Sequence, residues 1–327
     1  MPHIHVSMEI VFTNSDCPTA ATRRRLEKRI KAGKARRIYP GTYLLIGERE
    51  RVSREVEHAA RVFAATRRHR HGVVSGVSAA VLHGLPLLRN RIAAPVHVTR
   101  ECGGRNSEWV VPRRSRLSDH EIVDLHGLRV TSIRRTVEDL ATELDAHELL
   151  AVADRALSRG VSLAGVGERF RGRKRLEWIE ANAIDRSESF AESWSRAIFL
   201  TNDVAFPYQQ AAIRDPGGDL VARVDFATPD GVLGEFDGKL KYDELLRPGE
   251  TAADAVMREK RREARLRELG FEIVRWDWDL LHQPEALVRR VETALTKGPQ
   301  QFRGSVSIEP PKRFRRPDWG PLAALFG

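Results

Sequence analysis

The chain has 327 residues, of which 41% are hydrophobic and 31% are charged. At about 150 residues per domain this length predicts two domains or, alternatively, three small modules, and the apolar content excludes wholesale disorder. The 55 Lys and Arg residues outnumber the 45 Asp and Glu residues, and the formal net charge is +10. Such a charge favours a polyanionic partner, either nucleic acid or an acidic membrane surface.

Cysteine content and hydropathy narrow the class of protein. Cys17 and Cys102 allow at most one disulfide and cannot form a zinc site alone, which fits a reducing compartment. No run approaches 18 apolar residues, and the first residues lack the basic start and apolar core of a signal peptide. No helix combines a large apolar face with a basic face, as membrane-surface binding would need. We therefore expect a cytoplasmic protein without membrane contact, and we expect DNA as its partner.

Local patterns predict mixed elements in the first half of the chain. A basic helix at 19–34 precedes a hairpin around Pro40-Gly41, and the region after it alternates apolar helices with short strands. Gly84 and Gly160 are placed to end helices. We expect an α+β N-terminal region made of a winged-helix-like DNA-binding element at 1–50 and a middle domain at 51–165.

The second half begins with a weakly patterned junction at 166–186. The junction is followed by an amphipathic helix at 187–200, a hairpin, a charged helix that Gly270 ends, a strand and a last helix. They predict an α/β domain at 187–296, with a mixed sheet flanked by helices. Residues 297–327 are rich in proline and basic residues and have the composition of a tail, although the apolar run WGPLAALF within it could dock on the rest of the protein.

The basic helix and its hairpin carry the first candidate site. Residues 23–37 contain nine Lys and Arg residues and a single acid, Glu27. A winged helix-turn-helix presents a basic helix to the major groove and lays its hairpin on the DNA backbone, and phosphate contacts of this kind add salt dependence. From charge alone, a merely solvated basic helix is the alternative. The candidate DNA contacts are Arg23, Arg24, Arg25, Lys28, Arg29, Lys31, Arg36 and Arg37.

Carboxylates in the second hairpin form the other candidate site. Period-two geometry puts Glu235, Asp237 and Lys239 on one face of a strand, with Val232 and Phe236 on the opposite face.

A turn centred on Asp230 brings Asp225 of the preceding strand directly across from Glu235, with Cβ atoms about 5 Å apart. Arg223 shares the face of Asp225. The residues expected on the opposite face of that strand are Ala222, Val224 and Phe226.

Two like charges this close are costly unless a proton or a cation lies between them. With no Cys or His cluster nearby, Mg²⁺ or Mn²⁺ is the natural ion. The pattern is typical of a metal-dependent phosphodiesterase in which Asp225 and Glu235 hold the ion, Glu192 and Asp237 complete its shell, and Lys239 assists. Glu188 is the alternative to Glu192 as the acid from the upstream helix. An ordinary charged sheet face is the alternative. Further candidate nucleic-acid contacts are Lys260, Arg261 and Arg262.

Several ordered segments resemble a known family over residues 19–160. They are LEKRIKAGKARRIYPGTYLL, SGVSAAVLHGLP, LHGLRVTSIRRTVEDLA and ADRALSRG, and they are similar to the N-terminal and middle regions of AbiEi-type antitoxins. The resemblance implies a transcriptional autorepressor and antitoxin, whose partner is a nucleotidyltransferase-type toxin.

A second resemblance covers about residues 187–295. The motif ES-x-x-ES-x-x-R from Glu188 to Arg196, followed by RVDF, EFDGKLKY, EKRRE and LGFEIVRW, resembles the very-short-patch-repair-endonuclease-like domain of the PD-(D/E)xK restriction-endonuclease superfamily. It implies a Mg²⁺-dependent endonuclease with acids at 225, 235 and 237. The superfamily pattern has Lys two positions after the glutamate, whereas this chain has Asp237 there and Lys239 two positions later.

The two resemblances leave two functions open. One is a DNA endonuclease acting in defence or repair. The other is a non-catalytic antitoxin and autorepressor in which the nuclease-like fold serves as a scaffold.

Overall fold

The chain forms a mixed α/β protein with three sheets flanked by helices in its described part. A computed structural model describes residues 9–13, 17–46, 52–68, 72–92, 95–102, 104–166, 172–238, 250–299, 302–308 and 313–326. The chain divides into two compact units. Unit 1 comprises Met1–Asp145, Arg155–Ala181 and Phe314–Gly327, and unit 2 comprises Ala146–Asp154 and Asn182–Arg313. No helix within the described ranges is long and apolar enough to cross a membrane.

Helices and short strands alternate along the described ranges. The helices are α1 Ala20–Lys31, α2 Arg54–Arg68, α3 Gly76–His83, α4 Ile133–Leu140, α5 Ala146–Leu157, α6 Arg173–Asn182, α7 Phe190–Thr201, α8 Ala252–Glu268, α9 Trp278–Leu281, α10 Pro284–Lys297 and α11 Gly320–Ala324. The strands are β1 Glu9–Phe12, β2 Ala35–Tyr39, β3 Thr42–Leu45, β4 Val73–Val74, β5 Val96–Arg100, β6 Val110–Arg114, β7 Ile122–Leu125, β8 Leu128–Thr131, β9 Tyr208–Arg214, β10 Leu220–Ala227, β11 Val232–Phe236, β12 Glu272–Trp276 and β13 Ser305–Ile308.

Unit 1 begins with the basic helix and hairpin that the sequence predicts, and both are confirmed. Thr19 caps α1, its hydroxyl accepting the N–H of Thr22 at 3.2 Å. Leu26 is the buried residue of this helix, so α1 packs through a narrow face. Strands β2 and β3 form an antiparallel hairpin, and β1 joins β3 on its other edge.

A second, mixed sheet in unit 1 has the strand order β6-β5-β4-β8-β7. Its apolar side chains pack with α2 and α3. Ala60 of α2 is completely buried there, and Leu82 of α3 is almost completely buried. Gly84 ends α3 in the left-handed region, with φ of +62°. A side chain at Gly84 would meet Pro317 at 2.3 Å, so the close approach of this later segment also requires glycine.

The proline-rich segment at 297–327 contributes structure to each unit. In unit 2, β13 pairs antiparallel with β9 at the edge of the sheet. In unit 1, the segment around α11 adds Trp319, Leu322 and Phe326 to the core. The indole Nε1 of Trp319 donates a hydrogen bond to the Leu82 carbonyl at 2.7 Å. The burial of these rings fixes the segment on unit 1.

The sheet of unit 2 has the order β12-β11-β10-β9-β13 and is mixed, because β11 and β12 run parallel. One face packs against α7, α9 and α10 through a cluster that includes Phe199, Phe226 and Trp276. The other face packs against α8 through a cluster that includes Leu233 and Leu266. The predicted mixed sheet flanked by helices is confirmed.

Candidate functional site in unit 2

The β10–β11 hairpin has the register that the sequence predicts. Phe226 pairs with Gly234 and Ala227 pairs with Leu233. Counting one residue further along this register sets Asp225 opposite Glu235. The turn is closed by the N–H of Thr228, which donates to the Val232 carbonyl at 2.9 Å. The centre of the hairpin therefore lies where the Pro-Asp-Gly turn signal placed it.

The expected shared face of Ala222, Val224 and Phe226 is wrong. Phe226 packs in the cluster on the α7 side of the sheet, whereas Ala222 and Val224 pack on the α8 side. Strand alternation is interrupted between Val224 and Phe226. The interruption coincides with Gln210 of β9, next to this point, which has a φ of +51°.

Asp225 is the centre of the candidate site. Its Oδ2 atom accepts the backbone N–H of Phe236 at 2.8 Å. Burial raises the pKa of Asp225 to about 8, and the negative charges of Glu192 and Glu235 contribute to the rise. The carboxyl group thus lies in a place where charge is disfavoured and where two further acids are near.

Glu192 reaches the site from the first turn of α7. Ser189 caps this helix by accepting the N–H of Glu192 at 3.1 Å. The Oε2 atom of Glu192 accepts the N–H of Glu188 at 2.9 Å and the Nε2–H of Gln210 at 2.7 Å. Burial raises the pKa of Glu192 as well. These two donors therefore fix the orientation of the Glu192 carboxylate. A single exposed glutamate would lack such donors.

Two arginines engage Glu235. Arg262 of α8 donates to both of its oxygens, at 2.7 and 3.0 Å. Arg275 of β12 approaches the Oε2 atom through Nη2 at 2.8 Å. Glu259 of α8 binds both guanidinium groups in turn, at 2.5 and 2.8 Å. The result is a half-buried network in which the charge of Glu235 is compensated by the protein itself.

Arg275 is not among the residues that the sequence patterns predict for this site. It lies opposite Glu235 in the parallel β11–β12 pair, so the register of these two strands is the information that would have identified it. No turn fixes that register, since parallel strands are joined by a long crossover.

The remaining predicted residues of this site lie further out. Asp237 follows β11 with 48% of its side chain exposed, and its carboxylate lies 3.8 Å from the guanidinium of Arg275. Burial raises the pKa of Asp237, which Arg275 partly offsets. Lys239 lies outside the described residues. Lys260 and Arg261 are exposed on α8, whereas Arg262 is directed to Glu235.

Glu192 and Asp225 suit a hard divalent ion. Each uses one oxygen in the hydrogen bonds above, and within the described ranges the other oxygen has no hydrogen-bond partner. Glu235 does not fit, because Arg262 and Arg275 engage both of its oxygens. In that same part of the chain, no group of three or more His, Cys, Asp or Glu side chains is arranged to hold a metal ion. Asp225 and Glu192 thus each keep an oxygen outside these hydrogen bonds, and the binding of an ion by Asp225, Glu235 and Glu192 stays a prediction.

The basic residues of unit 1 fall into two sets. The first set is engaged: Arg23 donates to the Cys17 carbonyl at 3.1 Å, Arg36 pairs with Glu57, and Arg37 lies over the ring of Trp109 at 5.1 Å.

The second set is exposed on α1. Arg24, Lys28 and Lys31 follow an i, i+4, i+7 spacing on the side of the helix opposite Leu26. Arg25 and Arg29 are exposed on a neighbouring line of the same helix. A cationic face of this kind suits a row of phosphates.

Comparison of the chain with known protein families and with curated proteins finds no match.

Proposed function

We propose that unit 2 is a metal-dependent phosphodiesterase that cleaves DNA, with Asp225 and Glu192 as the residues that hold the divalent ion. One observation carries the proposal. Asp225 lies beside two other carboxylates at a partly buried position where burial and like charge raise its pKa to about 8. Such a position favours either a proton or a cation, and the second oxygens of Asp225 and Glu192 suit a cation.

The order of elements supports a restriction-endonuclease-like domain. Acids occur on a helix (α7), on the middle strand of a meander (β10) and on the next strand (β11), and a helix and a parallel strand follow them (α8 and β12). The described residues of the motifs that resemble the PD-(D/E)xK superfamily fall on or directly beside these elements. Fold and motif therefore favour the same class of reaction, although fold alone would not assign it.

The residues of this chain would contribute positioning and charge. A divalent ion supplies positive charge to a transferring phosphoryl group. Gln210 and the backbone of Glu188 orient Glu192, and the backbone of Phe236 orients Asp225. Arg262 and Arg275 place positive charge beside the acids. In the protein without DNA, Glu235 compensates that charge. Lys260 and Arg261, exposed on α8, would meet the DNA backbone.

The test is DNA cleavage by the full chain in Mg²⁺ or Mn²⁺, on supercoiled plasmid and on single-stranded oligonucleotide. Asp225→Asn and Glu192→Gln should each lower the rate by at least about 100-fold, because each removes a charged ligand while conserving shape. Asp230→Asn is the matched control, since Asp230 is exposed in the adjacent turn and Asn-Gly preserves its turn chemistry. Equal cleavage by the wild type and the Asp225 and Glu192 variants would remove this function.

A second function has its own observation. Both oxygens of Glu235 are engaged by arginines, an arrangement that is stable without any ion and fits a scaffold. The exposed basic face of α1 then becomes the functional surface. On this view the protein is a DNA-binding autorepressor and antitoxin, with a nucleotidyltransferase-type toxin as partner.

DNA binding by the α1 face is tested by changing Arg24, Lys28 and Lys31 together to Gln. The slope of log K against log salt should fall by about 0.9 for each phosphate that the variant no longer neutralises. Arg105→Gln serves as the control, because Arg105 is also exposed in unit 1. An unchanged slope in the triple variant would exclude this face as the DNA-binding surface. DNA binding without metal-dependent cleavage would favour the regulator over the enzyme.

A further inference from the structure

Unit 1 contains a cavity of about 520 Å³ that neither proposed function uses. It lies where α3 ends, between the residues that follow Gly84, the segment 155–159 and the segment 314–319. The volume falls within the range of about 300 to 1,000 Å³ that is usual for small-molecule sites. Its apolar wall includes Leu85, Pro86 and Ile92.

The charged part of the lining is positive. Arg155, Arg159 and Arg315 line the cavity, and Glu55 is the carboxylate among the described lining residues. The lining thus carries more positive than negative charge beside an apolar wall. This combination suits an anion that has a flat, apolar body.

Arg159 of the lining is held by backbone carbonyls. Its guanidinium donates to the carbonyls of His83 and Gly84, the latter at 3.0 Å, and so satisfies the last carbonyls of α3. Its Nε atom is buried and, in the described part of the chain, has no hydrogen-bond partner.

Arg155 is held by an aromatic ring. Its guanidinium lies over Phe314, with 3.3 Å between the Cζ atom and the ring centroid. Stacking of this kind fixes the plane of the guanidinium beside the cavity. Phe314 itself belongs to the lining.

Like charges converge on Arg159. Burial, together with the charges of Arg155 and Arg316, lowers its pKa to about 10. Several guanidinium groups gathered at a half-buried point repel one another, and a bound anion would relieve that repulsion. Arginine forks match the oxygens of phosphate, which carries more charge than a carboxylate.

We propose that this cavity binds a nucleoside bearing a terminal phosphate monoester, either as a free mononucleotide or as the 5′ end of a nucleic-acid strand. The phosphate meets Arg155 and Arg315, and the base lies against the apolar wall. This site belongs to unit 1 and is independent of the acids in unit 2, so either site can fail without the other.

Isothermal titration calorimetry on the full chain tests the proposal with AMP, adenosine and inorganic phosphate. AMP should bind at least about tenfold more tightly than either of the other two, since it alone supplies both phosphate and base. A 5′-phosphorylated oligonucleotide compared with its unphosphorylated form distinguishes the strand end from the free nucleotide. The site is overturned if AMP shows no heat of binding at millimolar concentration, or if adenosine binds as tightly as AMP.

Two variants and one control complete the test. Arg315→Gln and Arg155→Gln should each weaken AMP binding by about tenfold or more, as the loss of a charged hydrogen bond does. Arg315 is exposed, so this variant retains the fold even if the loss of Arg155 disturbs α5. Arg116→Gln, with 91% of the Arg116 side chain exposed elsewhere in unit 1, should bind AMP like the wild type. Unchanged binding by both cavity variants would place AMP elsewhere and overturn the site.

Discussion

Replacing Asp225 by Asn should stabilise unit 2 increasingly as the pH rises. Because burial and the nearby charges of Glu192 and Glu235 raise the pKa of Asp225 to about 8, the folded state holds a proton that the unfolded chain has released. Below the unfolded pKa both states are protonated and the group has no effect. Stability falls as the pH rises from the unfolded pKa towards about 8, and above that value the full penalty is present.

The size of the effect follows from the shift. A rise of about four pH units corresponds to about 5 to 6 kcal/mol at full ionisation. Asp225 and Glu192 do not titrate independently, because protonation of either one removes its repulsion of the other. A single substitution therefore recovers only part of this free energy. We expect the free energy of unfolding of Asp225→Asn to rise relative to that of the wild type by about 2 to 3 kcal/mol between about pH 5 and pH 8.5. Asn still offers an oxygen to the Phe236 N–H.

Urea unfolding in EDTA, followed by tryptophan fluorescence, measures this difference at the two pH values. Trp276 is buried in unit 2 and reports its unfolding. Asp230→Asn is the control, because Asp230 is exposed in the adjacent turn. The reasoning is refuted if the difference between Asp225→Asn and the wild type is constant, or shrinks, as the pH rises. Addition of Mg²⁺ should flatten the pH dependence of the wild type, since an ion would take the place of the proton.

Other substitutions test the packing around the two units, each by urea or thermal unfolding. Gly234→Ala should destabilise by about 1 to 3 kcal/mol, because its new methyl group would meet the ring of Trp276 at 2.8 Å, whereas Gly238→Ala makes only ordinary contacts and should cost little. Trp319→Phe should cost about 1 to 3 kcal/mol through the missing indole hydrogen bond, and a neutral result would show that this bond contributes nothing. Ser189→Ala should cost about 1 kcal/mol by uncapping α7, and an unchanged midpoint would contradict the cap.

Local rules predicted the hairpin of the candidate site well. A Pro-Asp-Gly turn fixes the centre of an antiparallel pair, and pairing then follows by counting, so Asp225 and Glu235 were aligned from the sequence alone. The faces of β10 were less predictable. Its alternation breaks next to Gln210, a non-glycine residue with positive φ, and no residue type in β10 signals that break.

The contacts of Glu235 depend on long-range packing. Arg262 comes from a helix 27 positions later in the chain, and its orientation follows from how α8 lies on the sheet. Charge alone gave Arg262 the same rank as Lys260 and Arg261, yet of these three Arg262 is the one directed inward to the acid. Likewise, proline and basic residues predicted a tail at 297–327, while the burial of Trp319 depends on packing against Leu82, 237 positions away.

That distance between Trp319 and Leu82 bears on the order of events during synthesis. At about 5 to 20 residues per second, a ribosome needs roughly 10 to 50 s to add the residues between them. Throughout that interval the emerging unit 1 lacks the indole that later fills its interior. The nascent N-terminal half therefore exposes apolar surface, to which chaperones can bind, until α11 has been translated.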